Sequence, residues 1–235
     1  MVAVVLPGGL AFAVVGGVAA VATAVATPVV RRLAIRSGAL VAPDDRNVHE
    51  SPTATLGGTA MLFGLFAGAL TAWLIGDFSA VFAEPSEMLG VLAAAAAICA
   101  VGVVDDMSPL SATAKVAGMV VAGAVLSLVG VSLVVLRVPF FDTMILSSNM
   151  SALLTVVWVV LIANAVNLID GLDGLAGGIV AIAAATFLFY AIRLGDAGVL
   201  TGSSPGALIA VLVVGICVGF LPHNVHPARI FTGEI

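Results

Sequence analysis

Seven apolar runs, each long enough to cross a bilayer, constrain this chain more than any other feature: about 8–30, 55–76, 86–104, 112–136, 151–168, 174–192 and 205–222. In hydrocarbon a helix satisfies its own backbone polar groups, and roughly 20 apolar residues suffice to span. The chain is therefore read as all-α, a polytopic transmembrane helix bundle of about seven spans forming a single membrane domain over residues 1–235. Composition agrees, because 62% hydrophobic against 9% charged residues leaves too little polar surface for a water-soluble domain. The same scarcity of Lys and Arg excludes a nucleic-acid partner. The first run has no basic leader and extends too far for a signal peptide, so it is read as an uncleaved span. Pro28 is expected to kink the end of that first helix. Frequent glycine suits the close helix approach that packing in lipid requires. Cys99 and Cys217 sit singly inside apolar runs, which makes them small core residues rather than a disulfide or zinc framework.

Basic residues set the orientation. Arg31, Arg32, Arg36 and Arg46 follow the first span, which places that loop in the cytoplasm and the N-terminus outside. Alternation then makes the loops around Asp105–Asp106, Asn164–Asp173 and His223–Arg229 cytoplasmic, while Asp77, Glu84, Glu87, Asp142 and Asp196 face outward. The outward charges are scattered among turn residues. The inward ones form dense groups, and these mark the active face.

Four groups stand out. Asp105-Asp106 ends the third span, with Lys115 just inside the next; adjacent carboxylates at a membrane boundary call for a compensating cation or proton, although alone they read as a helix-ending turn with Asp106 or Ser108 as the cap. Asn164, Asn167, Asp170 and Asp173 recur every third residue at the end of another span. On a helix the last three would form one contiguous polar stripe, with Gly171 and Gly174 leaving room for a ligand. The loop containing Arg46, His49, Pro52, Gly57 and Gly58 combines a phosphate-binding side chain with a glycine pair whose helix-start N–H groups could meet an anion; alone it is a positive-inside loop. The last group is His223, Asn224, His226, Pro227, Arg229 and Glu234. Pro227 opposes a regular helix presenting both imidazoles to zinc, so contacts to phosphate or structure are favoured.

In this order and on one face, the four groups resemble the polyprenyl-phosphate N-acetylhexosamine-1-phosphate transferase family, glycosyltransferase family 4, and within it the bacterial branch that uses UDP-GlcNAc and undecaprenyl or decaprenyl phosphate. Asp105-Asp106 with Leu110 and Lys115 matches the family's Asp-Asp motif. Asn167-Leu-Ile-Asp170-Gly-Leu-Asp173-Gly-Leu-Ala matches its second signature almost residue for residue. Arg46, His49, Pro52, Gly57 and Gly58 match the first cytoplasmic loop of the GlcNAc branch, with Asn47 where lysine is usual. His223 through Phe231 leads into a Phe-Met-Gly-Asp-x-Gly-Ser pattern, from which Thr232 and Glu234 depart. The resemblance covers nearly all of this chain and about two-thirds of a typical member, so the sequence is expected to stop short of the complete enzyme.

What the resemblance implies is transfer of GlcNAc-1-phosphate from UDP-GlcNAc to the lipid carrier with release of UMP, in the plasma membrane of a bacterium and at the start of a surface-polysaccharide pathway. It assigns Asp105 and Asp106 to the lipid-phosphate nucleophile, with Asp105 as a candidate base. Asn167, Asp170 and Asp173 would line the nucleotide pocket, and Lys115, Arg46, His49, Asn164, His223, Asn224 and Arg229 would contact substrate. Glu234 takes the position of a magnesium ligand; magnesium is the expected cofactor, with manganese as a substitute. Two rival activities are a phospho-N-acetylmuramoyl-pentapeptide transferase, which His49 and the His-Pro-Ala-Arg segment oppose, and a secondary transporter, which acids at helix ends rather than at the midplane oppose. An inactive fragment is a third alternative. The oligomeric state is open, a homo-oligomer included.

Overall fold

A computed structural model describes residues 8–41, 52–83, 86–137, 143–200 and 203–233. These residues form eight helices: α1 Gly9–Ser37, α2 Gly57–Ile75, the short α3 Ser79–Phe82, α4 Ser86–Met107, α5 Ala112–Leu128, α6 Ser148–Ile169, α7 Leu175–Asp196 and α8 Gly206–Asn224. They also form two small antiparallel pairs, β1 Leu40–Val41 with β2 Thr53–Ala54, and β3 Val135–Arg137 with β4 Thr143–Ile145. Six helices are long and apolar enough to cross a membrane, and α5, at 17 residues, is the shorter seventh. The protein is an all-α, multi-pass membrane protein.

Packing places α5 beside the six longer helices. Gly118 of α5 lies against Val101 of α4, and Val129, just past α5, lies against Gly90 near the start of α4. Helix α5 thus accompanies α4 antiparallel over most of its length. Seventeen residues at about 1.5 Å each reach roughly 25 Å, the lower limit for a span. The apolar pattern predicts that this fourth run stays helical to 136. It stops at Leu128 because Gly130 takes a left-handed φ of 97° and the β-branched run beyond pairs as a hairpin, Val135 with Ile145 and Arg137 with Thr143.

The first helix corrects the sequence boundary in the other direction. It continues through Pro28 to Ser37 and closes on Gly38, whose φ of 78° lets its N–H reach the Ala34 carbonyl. At 29 residues it exceeds the bilayer core, so its last turns carry Arg31, Arg32 and Arg36 past the apolar segment.

Helix α1 lies between α2 and α8, α7 packs on α8, and α4, α5 and α6 make a second row joined to the first through α2 and α4. Small residues set these distances. A Cβ at Gly64 would overlap the Thr23 side chain, and one at Gly219 would overlap the Ala20 backbone. Thr23 and Thr27 face this seam with their hydroxyls turned back onto Ala19 O at 2.8 Å and Thr23 O at 2.7 Å, so neither hydroxyl is left unmet there. Toward the opposite end Phe12, Val15, Leu65, Phe78, Met88, Leu208 and Leu212 form the largest buried cluster, with Phe12 and Phe78 edge to face at 5.3 Å.

The seam predicts a contrast between two glycines. Gly219→Val should cost about 1–3 kcal/mol by overpacking, whereas Gly178→Ala on α7, where a Cβ meets nothing within 4 Å, should be neutral or raise the melting temperature. Thermal melting of both variants in detergent checks this.

Candidate functional site

The polar groups converge at one end of the bundle, where residues 230–233 run between the helix ends. This segment is pinned by backbone bonds. Phe231 N–H donates to Ala54 O at 2.8 Å, Gly57 N–H donates to Phe231 O at 2.9 Å and Gly58 N–H donates to Thr232 O at 2.7 Å. Ile230, fully buried, bridges Ala54 in parallel register. The expectation that Gly57 and Gly58 offer their N–H groups to an anion is thereby overturned. Both donors are consumed by the 230–233 segment, and glycine is needed at 57 because a Cβ there would come within 2.5 Å of Phe231 O.

Two carboxylates meet this segment at consecutive residues. Asp106, in the last turn of α4, places Oδ2 where a Cβ on Gly233 would come within 2.5 Å, and Gly233 has a φ of 107°, so both space and conformation demand glycine. The same Oδ2 accepts the Leu56 N–H at 3.1 Å. Leu56 has a φ of 72°, a left-handed conformation costly for a leucine, and its bond to Asp106 helps hold it there. Asp170 accepts a hydrogen bond from the Thr232 hydroxyl on its Oδ2. Burial pushes the Asp170 carboxyl above the usual carboxylate range, the Thr232 hydroxyl pulls it down, and neighbouring Asp173 raises it again. A small cavity of about 30 Å³, room for about two waters, lies between Asp106, Gly58, Thr59, Cys99, Thr232 and Gly233.

Other predicted site residues serve as the frame. Asp105 is 6% exposed; its Oδ1 accepts the Leu110 N–H at 2.7 Å and its Oδ2 pairs with Lys115 Nζ at 2.6 Å. Ser111, rather than Asp106 or Ser108, caps α5 through the Ala114 N–H. Asn224, 1% exposed, accepts the Gly174 N–H at 3.1 Å and donates to Ile230 O at 3.0 Å, so its amide clamps the start of α7 to the 230–233 segment. Asp173 Oδ2 accepts from His226 Nδ1 at 2.9 Å and from the Ala228 N–H at 3.0 Å. His226 faces outward while His223 turns into the helix seam, so the two imidazoles do not share a ligand.

His223 answers a question posed by Pro28. A proline cannot donate to the carbonyl four residues earlier, which strands the Ala24 C=O inside α1. His223 Nε2 lies 3.1 Å from that oxygen, and since a carbonyl only accepts, Nε2 carries the proton. His223 is thus bound to α1.

The predicted helical stripe also changes form. Helix α6 ends at Ile169, Asp170 is its C-cap and Asp173 lies in the turn before α7, with Gly174 left-handed at φ 73°. The carboxylates are brought together by a tight turn instead of by helical spacing. Asn167 is exposed at the same end. Asn164 sits one turn deeper and donates to Val160 O at 2.8 Å and to Met119 Sδ at 3.2 Å, away from the carboxylates. The Arg229 side chain is exposed, and its carbonyl accepts from Arg31 Nε at 2.8 Å. Arg46, His49 and Glu234 lie outside the described residues.

Residues 88–235 match the model of glycosyl transferase family 4. The chain belongs to that family. It is 41% identical over 225 residues to the decaprenyl-phosphate N-acetylglucosaminephosphotransferase of Mycolicibacterium smegmatis, covering 94% of this chain and 55% of that protein. It is 34% identical over 210 residues to the probable undecaprenyl-phosphate N-acetylglucosaminyl 1-phosphate transferase of Bacillus subtilis, covering 88% and 54%. A phospho-N-acetylmuramoyl-pentapeptide-transferase of Desulforudis audaxviator is 34% identical over 245 residues, covering 94% and 70%. The chain thus spans about half the length of the N-acetylglucosamine relatives, less than the two-thirds expected from its motifs.

The Pro28–His223 relation predicts a coupled pair. His223→Leu should destabilise the protein by about 1–3 kcal/mol by stranding the Ala24 carbonyl. The same change in a Pro28→Ala background, where the backbone N–H restored at position 28 can donate to Ala24 O, should cost much less. A double-mutant cycle on melting temperature reads the difference.

Proposed function

We propose that this family 4 chain carries transfer of GlcNAc-1-phosphate from UDP-GlcNAc to undecaprenyl or decaprenyl phosphate, releasing UMP, on the cytoplasmic side of a bacterial plasma membrane. One observation carries the proposal: carboxylates from two separate signatures, Asp106 and Asp170, meet adjacent residues of one segment, Gly233 and Thr232. Acids gathered at a helix-end interface suit a soluble nucleotide arriving from water and a lipid phosphate arriving from the bilayer. The same placement is unlike the midplane ion sites of transporters.

The oxygen donors there fit a magnesium ion in kind. No three His, Cys, Asp or Glu residues converge as a metal site among the described residues, but magnesium commonly takes one or two protein carboxylates and completes its shell with water and substrate phosphates. Asp106 and Asp170 would hold it, with Glu234 as a further candidate, and when bound it would neutralise the diphosphate of the donor. The residues of the chain supply position and charge. Lys115 places an ammonium at the same helix ends, suited to a phosphate oxygen as a point charge. Exposed Asn167 and Arg229 offer an amide and a guanidinium to the nucleotide, with Arg46 and His49 expected from the first loop. Asp173, Asn224 and His226 act indirectly, by fixing the turn that presents Asp170.

The Desulforudis relative supports a second reading, transfer of phospho-N-acetylmuramoyl-pentapeptide, so the test must separate two donors. Membranes carrying this chain, alone and fused to the part of the M. smegmatis relative that the match leaves uncovered, are assayed for exchange of labelled UMP into UDP-GlcNAc with polyprenyl phosphate and magnesium. Exchange by at least the fusion is expected, competed by unlabelled UDP-GlcNAc and not by the UDP-muramoyl-pentapeptide donor. A silent fusion beside an active intact relative would overturn the proposal, and competition by the pentapeptide donor alone would favour the second reading.

A further inference from the structure

The two members of the Asp-Asp pair have different surroundings. Asp105 is almost fully buried, with one oxygen on the Leu110 N–H and the other on Lys115 Nζ. Asp106, one residue on and about 100° around the helix, lines the cavity with Thr59, Thr232 and Gly233. We propose that Asp105 is a positioning residue that fixes Lys115 and the turn before α5, while Asp106 is the carboxylate that meets the reacting phosphates.

This inference deepens the transferase reading and rests on it. It departs from the expectation that Asp105 serves as base. Both oxygens of this buried carboxylate are committed to the fold, one to an ammonium and one to a backbone N–H, and breaking either contact would leave a charge or donor uncompensated near the membrane boundary. The reaction makes no such demand. A phosphate monoester, with its second pKa near 6, is largely ionised at neutral pH, so an oxygen already carrying charge can form the new bond to the β-phosphorus. The bond from that phosphorus to the bridging oxygen breaks, and UMP departs with the electron pair.

Lys115 explains why Asp105 is needed. It lies in the first turn of α5, the end of a helix at which the dipole opposes a cation. Its side chain remains 21% exposed, against 4% for that of Asp105, so the ammonium stays at the polar edge while its partner is enclosed. Asp105 holds the cation where the helix alone would disfavour it, and the Leu110 bond sets the turn from which α5 departs.

The test compares Asp105→Asn, Lys115→Gln, the double variant and Asp106→Asn. On the purified full chain, each of the first two should lower the melting temperature by several degrees, and the double variant should melt no lower than the worse single. In the UMP exchange assay, Asp105→Asn should reduce kcat by about 10–100-fold, as loss of a supporting contact does, with the KM for UDP-GlcNAc within about twofold. The double variant should not recover exchange, and Asp106→Asn should abolish exchange. Additive melting losses would overturn the pairing. Complete loss of exchange in Asp105→Asn at parental melting temperature, with activity surviving in Asp106→Asn, would restore Asp105 as the reacting group. If the unsubstituted fusion shows no exchange, the transferase reading fails, and the melting cycle still decides the pairing by itself.

Discussion

The site depends on one short stretch of backbone pairing, in which residues 230–233 bond to the loop ahead of α2 through Ala54, Gly57 and Gly58. Everything polar at that end of the bundle is placed relative to this segment. Asp106 comes to it from α4, Asp170 from the end of α6, and Asn224 ties it to the start of α7. The segment is irregular chain at the edge of a membrane domain, where unmet backbone groups are costly, and its contacts with the loop supply partners for three of those groups. The glycines follow from the same geometry. Gly57 must admit Phe231 O, and Gly233 must pass Asp106 in a conformation that other residues rarely adopt.

Around that segment the polar residues divide by how deeply they are enclosed. Asp105 and Asn224 each bind two protein groups and are closed off from solvent, and the Asp173 side chain is held by His226 and the Ala228 N–H. Asp106, Asp170 and Asn167 lie nearer the open side. A membrane protein cannot leave carboxylates unpartnered at its boundary, so those that build the site are surrounded by donors. The charge available to a substrate therefore resides on fewer residues than the motifs contain, and the raised Asp170 carboxyl reflects how little water reaches even an open member.

Much of this was legible in the sequence because apolar length and polar clustering are local properties. The membrane helices, the gathering of the described carboxylates at one end and the family followed from runs and motifs that each occupy a few consecutive residues. Sequence and structure part where distant residues decide. The first run reads as ending near residue 30 with Pro28 kinking it, but the helix continues to Ser37, and His223, nearly two hundred positions later, meets the carbonyl that Pro28 strands. Gly57 and Gly58 read as an anion site, and they are occupied by a segment close to the last residue of the chain. The three-residue spacing of Asn167, Asp170 and Asp173 suggests a helical stripe, but the helix ends at Ile169 and the left-handed Gly174 lets the chain turn instead. Thr232 carries no signal at all, since only the fold reveals that its hydroxyl faces Asp170.

Pairing of the 230–233 segment against the first loop, which gathers the carboxylates, can be measured by a cross-link. Ala54 and Ile230 are bridge partners and both are buried. Ala54→Cys with Ile230→Cys, in a background where Cys99 and Cys217 are replaced by alanine, should form an intramolecular disulfide on mild oxidation in membranes, because bridge partners lie within the Cα separation that a disulfide spans. That cross-link is expected to form, and none is expected when Ala54→Cys is combined with Val199→Cys at the far end of the bundle. Two thiols at 54 and 230 that stay reduced under oxidation, while remaining open to alkylation in the intact membrane, would show that the segment is not paired there.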